Sequence, residues 1–320
     1  MRVVPSDRGV DDQHMDYLGY AEFLPGEYRR DSLIAPVPTW WSWRGKRVHV
    51  ARAGSPDADV RVLAIHGAGG HSGLLWPFAA LAAREGVEVM AVDLPLYGDT
   101  ADPDPGSVRY PDWIDLLCDF VLAETASDDR PLVVFGASMG GMLAYEVAAR
   151  TGAVAHVVAT CLLDPEDPAA RSAAARWAFM GRAAPGALRV IEPLLGRVRI
   201  PIRWAVDMNN MSLNPALSHA CATDPKGGGV SVPIAFLSSF LGFRHTPPET
   251  FCAAPLTLVH PAMDRWTPAE LSIRFLERIP DRTQLVLLGN CGHFPIEEPG
   301  LSQLAATLRS LLATLPGPAK

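Results

Sequence analysis

The stretch that decides the fold is Pro131 to Ala149, PLVVFGASMGGMLAYEVAA. Pro131 to Phe135 is an apolar, partly β-branched run that reads as a buried strand, and a helical pattern starts directly after Gly136-Ala137-Ser138-Met139-Gly140-Gly141. A strand that turns straight into a helix makes a very tight turn. Its apex is pushed toward unfavourable φ/ψ, and flanking glycines leave room for neighbouring chain. Ser138 at that apex would hold its hydroxyl clear of the backbone, beside the free N–H groups and partial positive charge of a helix N-terminus. The spacing predicts a serine presented for nucleophilic attack.

On either side of this stretch the chain alternates strand and helix patterns. Upstream, Val60 to Ile65 and Val87 to Val92 read as strands, with helices expected at Leu74 to Glu85 and Pro111 to Glu124. Downstream, Ala155 to Leu163, Pro255 to His260 and Thr283 to Leu288 read as strands, with helices at Pro268 to Arg278 and Leu301 to Leu315. Strands separated by helical segments imply βαβ crossovers and a mostly parallel sheet covered on both faces. Thr39 to Gly54 reads as a hairpin turning at Arg44-Gly45-Lys46. Residues 1–38 form an N-terminal arm whose Tyr17, Tyr20, Phe23 and Tyr28 are expected to pack on the core, which spans 39–163 and 254–320. Residues 164–253 interrupt the alternation as a mostly helical cap: ARSAAARWAFMGRAA, GALRVIEPLLG and IAFLSSFLGF read as helices and DPKGGGVSVP as a loop.

A serine hydroxyl is a poor nucleophile at neutral pH and needs a base, itself oriented by an acid. In such a sheet the partners should hang from loops at the C-terminal ends of later strands. Asp264 follows the strand ending at His260, and His293 follows the strand ending at Leu288, between two glycine-bearing turns and the last helix. Asp164, after the preceding strand, is the alternative acid. The oxyanion formed on attack needs donors. The amide of Met139 is one candidate, and the amide of Ala68 in the small-residue turn His66-Gly67-Ala68-Gly69-Gly70 is the other. His66 is expected to hold that turn rather than react. Gly67, Gly69 and Gly73 make G-x-G-x-x-x-G, one residue too long for dinucleotide binding. In the cap, Trp204, Met208, Met211 and Phe236 are the candidates for lining a substrate pocket.

Composition bounds the rest. The 320 residues are 48% apolar and 20% charged, with a net charge of −7, which argues against a nucleic-acid surface. No stable membrane insertion is expected either, since the longest apolar run, near Val154 to Leu163, is too short to span a bilayer. The N-terminus lacks an apolar signal-like run. Five scattered cysteines without C-x-x-C spacing read as reduced thiols, so a cytoplasmic protein is expected. No H-E-x-x-H or comparable cluster calls for a metal, and no cofactor is implied. The partner expected is a small-molecule substrate.

Taken together, HGAGG (66–70), DLPLYGDT (93–100), GASMGG (136–141), Asp264 in HPAMDRWTP and GHFPIEEP (292–299) resemble the α/β-hydrolase superfamily. The likeness covers about Thr39 to Leu163 and Pro255 to Leu315. It implies a nucleophile elbow at Ser138, the chain order Ser, Asp, His, and an α/β-hydrolase fold with a cap. Cap-bearing carboxylesterases and monoacylglycerol lipase-like esterases share the S-M-G-G ending, as do C–C bond hydrolases of ring-cleavage products. Ester hydrolysis is the leading expectation. C–C or amide hydrolysis, acyl transfer, and non-catalytic ligand binding are the alternatives.

Overall fold

The apolar runs at the centre of the sheet form strands because each is buried on both faces, while the edge runs Val37–Trp43 and Thr283–Leu288 stay partly exposed. The computed structural model describes residues 19–29, 33–176, 178–280 and 282–315; Tyr17 and Trp177 lie outside these. The strands are β1 (Val37–Trp43), β2 (Lys46–Ala53), β3 (Arg61–Ile65), β4 (Glu88–Val92), β5 (Leu132–Gly136), β6 (His156–Ala159), β7 (Arg199–Pro201), β8 (Ser231–Pro233), β9 (Leu256–Pro261) and β10 (Thr283–Leu288). Eight of them form one sheet in the order β1-β2-β4-β3-β5-β6-β9-β10, parallel from β4 to β10 and antiparallel at the β1–β2 edge. The β1–β2 hairpin turns through Arg44 and Gly45, both at positive φ, the pairing that matches the right-handed twist of flanking strands.

Period-two alternation sends side chains to two cores. Leu63, Ile65, Met90, Val92, Leu132 and Val134 face one apolar cluster, and Val62, Ala64, Val89, Ala91, Val133 and Phe135 face the other. The first is covered by α2 (Tyr110–Ser127) and α3 (Met139–Thr151), the second by α1 (Ser72–Arg84) and the C-terminal helix (Gly300–Thr314). Tyr20, Phe23 and Tyr28 of the N-terminal arm pack against the second cluster.

Register fixes where function can sit. Ile65 lies opposite Gly136, and Gly136 opposite Ala159, so these strands end level and their following loops emerge at one edge of the sheet. Strand β6 stops at Ala159, short of the expected Leu163, because Thr160 turns aside to hold the neighbouring loop.

The segment between β6 and β9 differs in detail from its pattern. Helices α4 (Pro168–Ala174) and α5 (Ala178–Leu195) are separated near Ala175, which bridges to Val206, while α5 continues through Pro185, where the sequence suggested a break. Part of the expected DPKGGGVSVP loop is strand β8, which pairs with β7. The segment is completed by α6 (Ile202–Ala205), α7 (Pro215–Thr223) and α8 (Ile234–Leu241), before α9 (Ala269–Leu276) and the C-terminal α10 (Gly300–Thr314) return to the core. Among the described residues no helix is long and apolar enough to cross a membrane, and the five cysteines are free thiols.

Candidate active site

Ser138 sits between β5 and α3 at φ 55° and ψ −124°, a region that costs a non-glycine residue about 1–3 kcal/mol. The glycines around it are there for contact. A methyl group at Gly136 would lie 2.1 Å from the carbonyl oxygen of Gly140, and one at Gly141 2.0 Å from that of Cys161. The Ser138 amide donates to Thr160 Oγ1 at 2.9 Å, and its hydroxyl makes no capping bond to α3. Instead Ser138 Oγ lies 2.8 Å from His293 Nε2.

His293 and Asp264 are both buried, 5% and 8% exposed, in the loops after β10 and β9. Their Nδ1 and Oδ2 atoms are 2.7 Å apart. Asp264 Oδ2 also accepts from Thr267 Oγ1 at 2.7 Å, and Oδ1 accepts the amides of Trp266 and Thr267, each at 2.9 Å. Burial alone would raise this carboxyl, but the adjoining His293 and these hydrogen bonds outweigh it and hold the pKa down to about 2. The indole of Trp266 lies against the imidazole, with ring centroids 4.6 Å apart. Asp164 is elsewhere: its Oδ1 accepts the Glu166 amide, and it lines a cleft with Arg274 and Arg278.

The turn 66–70 lies level with the elbow and close against it. A methyl group at Gly67 would come within 2.9 Å of Ser138 Cβ and 3.0 Å of the Met139 nitrogen. Buried polar groups hold this turn. His66 contacts the Gly67 carbonyl through Nδ1 at 2.8 Å and accepts the Leu94 amide at Nε2, 3.0 Å away; burial lowers its pKa to about 4 and keeps it neutral. Asp93, fully buried beside His49, accepts the Ser72 amide at 2.6 Å. Among the described residues, the amides of Ala68 and Met139 donate no internal hydrogen bond.

Two spaces flank the elbow: Ser138 lines the smaller, and its neighbours Ala68 and Met139 border the larger. One is an apolar cleft of about 580 Å³ with Ala68 and Met139 at its floor and Leu188, Ile200, Trp204 and Phe236 among its walls. The other is a void of about 30 Å³ bounded by Ser138, His293, Phe78, Met211 and Phe294. Of the four cap residues singled out by sequence, Trp204 and Phe236 line the large cleft and Met211 the small void. Met208 instead packs behind the glycine turn, where its Cε would lie 2.8 Å from a methyl group at Gly69.

Residues 62–305 match the family model described as the alpha/beta hydrolase family. This chain belongs to that family. Its fold is similar to the monoglyceride lipase of Saccharomyces cerevisiae (TM-score 0.72, 16% identity, 88% of this chain and 96% of that one). It is also similar to the monoacylglycerol lipase of Paleococcus ferrophilus (TM-score 0.65, 20% identity, 83% and 98%) and to an esterase of a Rhodococcus species (TM-score 0.60, 20% identity, 88% and 100%). By sequence, 107 residues are 36% identical to the AMB antimetabolite synthetase AmbE of Pseudomonas aeruginosa; the match spans 33% of this chain and only 5% of that protein.

Within this alpha/beta hydrolase, several site residues escaped the sequence reading. Thr160 and Thr267 are isolated threonines whose roles depend on strand ends meeting in space. Glu297 was quoted only as part of a motif, yet it ties the His293 loop to the insertion: Oε2 accepts the Gly292 amide at 3.1 Å and Oε1 that of Leu213 at 3.0 Å. Asp224 and His71, 2.8 Å apart, join the insertion to the start of α1 across 153 residues of sequence.

Proposed function

We propose that this protein is a serine hydrolase that cleaves carboxylic esters of apolar acyl groups through an acyl-enzyme. The observation that carries the reading is the unbroken chain of contacts from Ser138 Oγ through His293 to Asp264. In the first step Ser138 Oγ attacks the acyl carbon while His293 Nε2 takes its proton. Asp264 accepts the Nδ1–H bond throughout, which fixes the tautomer and stabilises the imidazolium. The amides of Ala68 and Met139 receive the oxyanion, one such donor being worth about 3 kcal/mol. His293 then returns the proton to the leaving alcohol. Water, activated by the same imidazole, releases the acid and restores Ser138.

The two spaces divide the substrate. The leaving group must sit where His293 can protonate it, on the side of the small void, so the cleft over the oxyanion donors takes the acyl chain. A volume of about 580 Å³ lies within the range that encloses a drug-sized ligand. Esters of long-chain acids with methanol should therefore be turned over faster, by about tenfold in kcat/KM, than acetates of long-chain alcohols of equal carbon number. Steady-state rates on the two series check this. Equal rates would reverse or dissolve the assignment of the two sides.

Labelling with a fluorophosphonate and mapping the adduct by mass spectrometry tests the mechanism itself. Modification of Ser138, with none in Ser138→Ala, is the expected result, alongside a loss of kcat of roughly 10⁶-fold in that variant. No label on the native protein, or a label that survives the substitution, refutes the reading. Rates on p-nitrophenyl esters set against ring-cleavage products and amides separate ester cleavage from C–C and amide cleavage.

A further inference from the structure

We propose that Asp224, in the insertion, is a positioning residue for the oxyanion turn, acting through His71 and through its own glycine loop. The proposal rests on the reading of Ser138 as the nucleophile and of the Ala68 amide as an oxyanion donor. The turn 66–70 has two ends. His66 and Asp93 anchor it from within the core, while its far end, His71, is reached from the insertion.

His71 is 5% exposed and does two things at once. Its Nδ1 accepts the Gly73 amide at 3.1 Å as the N-cap of α1, so the ring proton resides on Nε2, which donates to Asp224 Oδ2 at 2.8 Å. The same Oδ2 accepts from Tyr20 Oη at 2.5 Å, and Oδ1 accepts the Lys226 amide at 2.8 Å. One carboxylate thus joins the N-terminal arm, the residue directly after the oxyanion turn, and the loop that follows α7.

That loop bears on the turn a second time. The Asp224 carbonyl accepts the amides of Gly227 and Gly229, at 3.0 and 2.8 Å, and closes the loop over Gly69. The fit leaves no room for a side chain: a methyl group at Gly227 would lie 2.6 Å from the Gly69 carbonyl oxygen. Met208, also from the insertion, packs with this loop against Gly69, its Cε 2.8 Å from where a methyl group there would lie. The Lys226 carbonyl accepts the Gly98 amide at 3.0 Å, and Lys226 Nζ lies 3.0 Å from Asp99, fastening the loop to the segment that surrounds Asp93. Ala68 is therefore held between a core anchor at His66 and an anchor from the insertion at His71, with the glycine loop setting the height of the peptide between them.

Donor placement matters more in the transition state than in the ground state, because the oxyanion forms only on attack. Shifting Ala68 should therefore lower kcat and leave KM nearly unchanged. Asp224→Asn keeps the shape but removes the charge, and an asparagine offers a single carbonyl oxygen where three donors now converge on two. Gly227→Ala pushes on the turn directly and leaves Asp224 in place. Both variants, as full-length protein, are compared with the native chain for kcat, KM, and affinity for an alkyl boronic acid, whose tetrahedral serine adduct places an oxygen at the oxyanion position.

The expected result is a fall in kcat of roughly 10- to 100-fold in each variant, short of the 10²–10³ for outright loss of a donor. KM should stay within about twofold, and boronate affinity should drop by the same factor as kcat/KM. Unchanged kcat in both variants, or a fall in kcat with boronate affinity retained, overturns the proposal while the fluorophosphonate still labels native Ser138. If native Ser138 takes no label, the catalytic reading fails and the proposal falls with it.

Discussion

Asp264→Asn should lower kcat about 10⁴-fold with little change in KM, while Asp164→Asn should stay within about twofold of the native protein. The size of the first effect follows from how the carboxylate is held. Oδ1 accepts two backbone amides, from Trp266 and Thr267, and only an oxygen can occupy that position. In the asparagine variant the carbonyl oxygen must take it, which leaves the NH₂ group where Oδ2 was, facing His293 Nδ1. The imidazole then accepts at Nδ1 and carries its proton on Nε2, pointing at Ser138 Oγ. A base that arrives already protonated cannot take the serine proton. Asp164 has no comparable tie to the imidazole; it bonds the Glu166 amide beside the Arg274–Arg278 cleft. Steady-state kinetics on one ester decide the ranking, and the reverse order would move the acid to Asp164.

The same carboxylate gives stability a pH signature. Its folded pKa, about 2, lies below the unfolded aspartate value near 4, so the unfolded chain binds the proton more readily. Its contribution is complete above about pH 4 and is lost as the pH falls toward 2. Thermal melts across that interval should show a shallower acid dependence in Asp264→Asn than in the native chain.

Gly141→Ala should cost at least about 3 kcal/mol, and Gly152→Ala only about 1 kcal/mol. The contrast separates crowding from conformational strain. At Gly141 the added carbon would sit 2.0 Å from the Cys161 carbonyl oxygen, a backbone atom just beyond β6, so α3 must move away from the exit of β6. Ser138 and the Met139 amide would move with it. At Gly152 φ is positive but nothing lies within 4 Å, leaving only the left-handed penalty. Urea titrations measure both, and Gly141→Ala should lose most of its activity even where it remains folded. Equal costs at the two sites would mean that the elbow tolerates rearrangement.

Much of this site was legible in the sequence because its parts are local. A five-residue buried strand followed at once by a glycine-flanked serine and a helix has few other readings, and His293 and Asp264 each sit in a loop between a strand and a helix. The residues that tune those groups were not legible. Thr267 looks like any residue ahead of a helix until its hydroxyl is seen to contact both Asp264 and His293. Asp224 is 204 residues from Tyr20 and 153 from His71, and no periodicity records such a meeting. The insertion was the least readable part. Its three-residue strands are too short to show alternation, and helix α5 runs through Pro185 because the break falls where Ala175 bridges to Val206.

The void of about 30 Å³ beside His293 bears on the fate of the acyl-enzyme. Once the alcohol has left, any second nucleophile must approach from the side where the imidazole can take its proton. That space is narrow, so it admits a small nucleophile such as water more readily than a long-chain alcohol. On the proposed mechanism, partition between hydrolysis and transfer would depend on these walls, chiefly Phe78, Met211 and Phe294. On that mechanism, the same three reacting groups behind a wider opening would have room for another alcohol as acceptor.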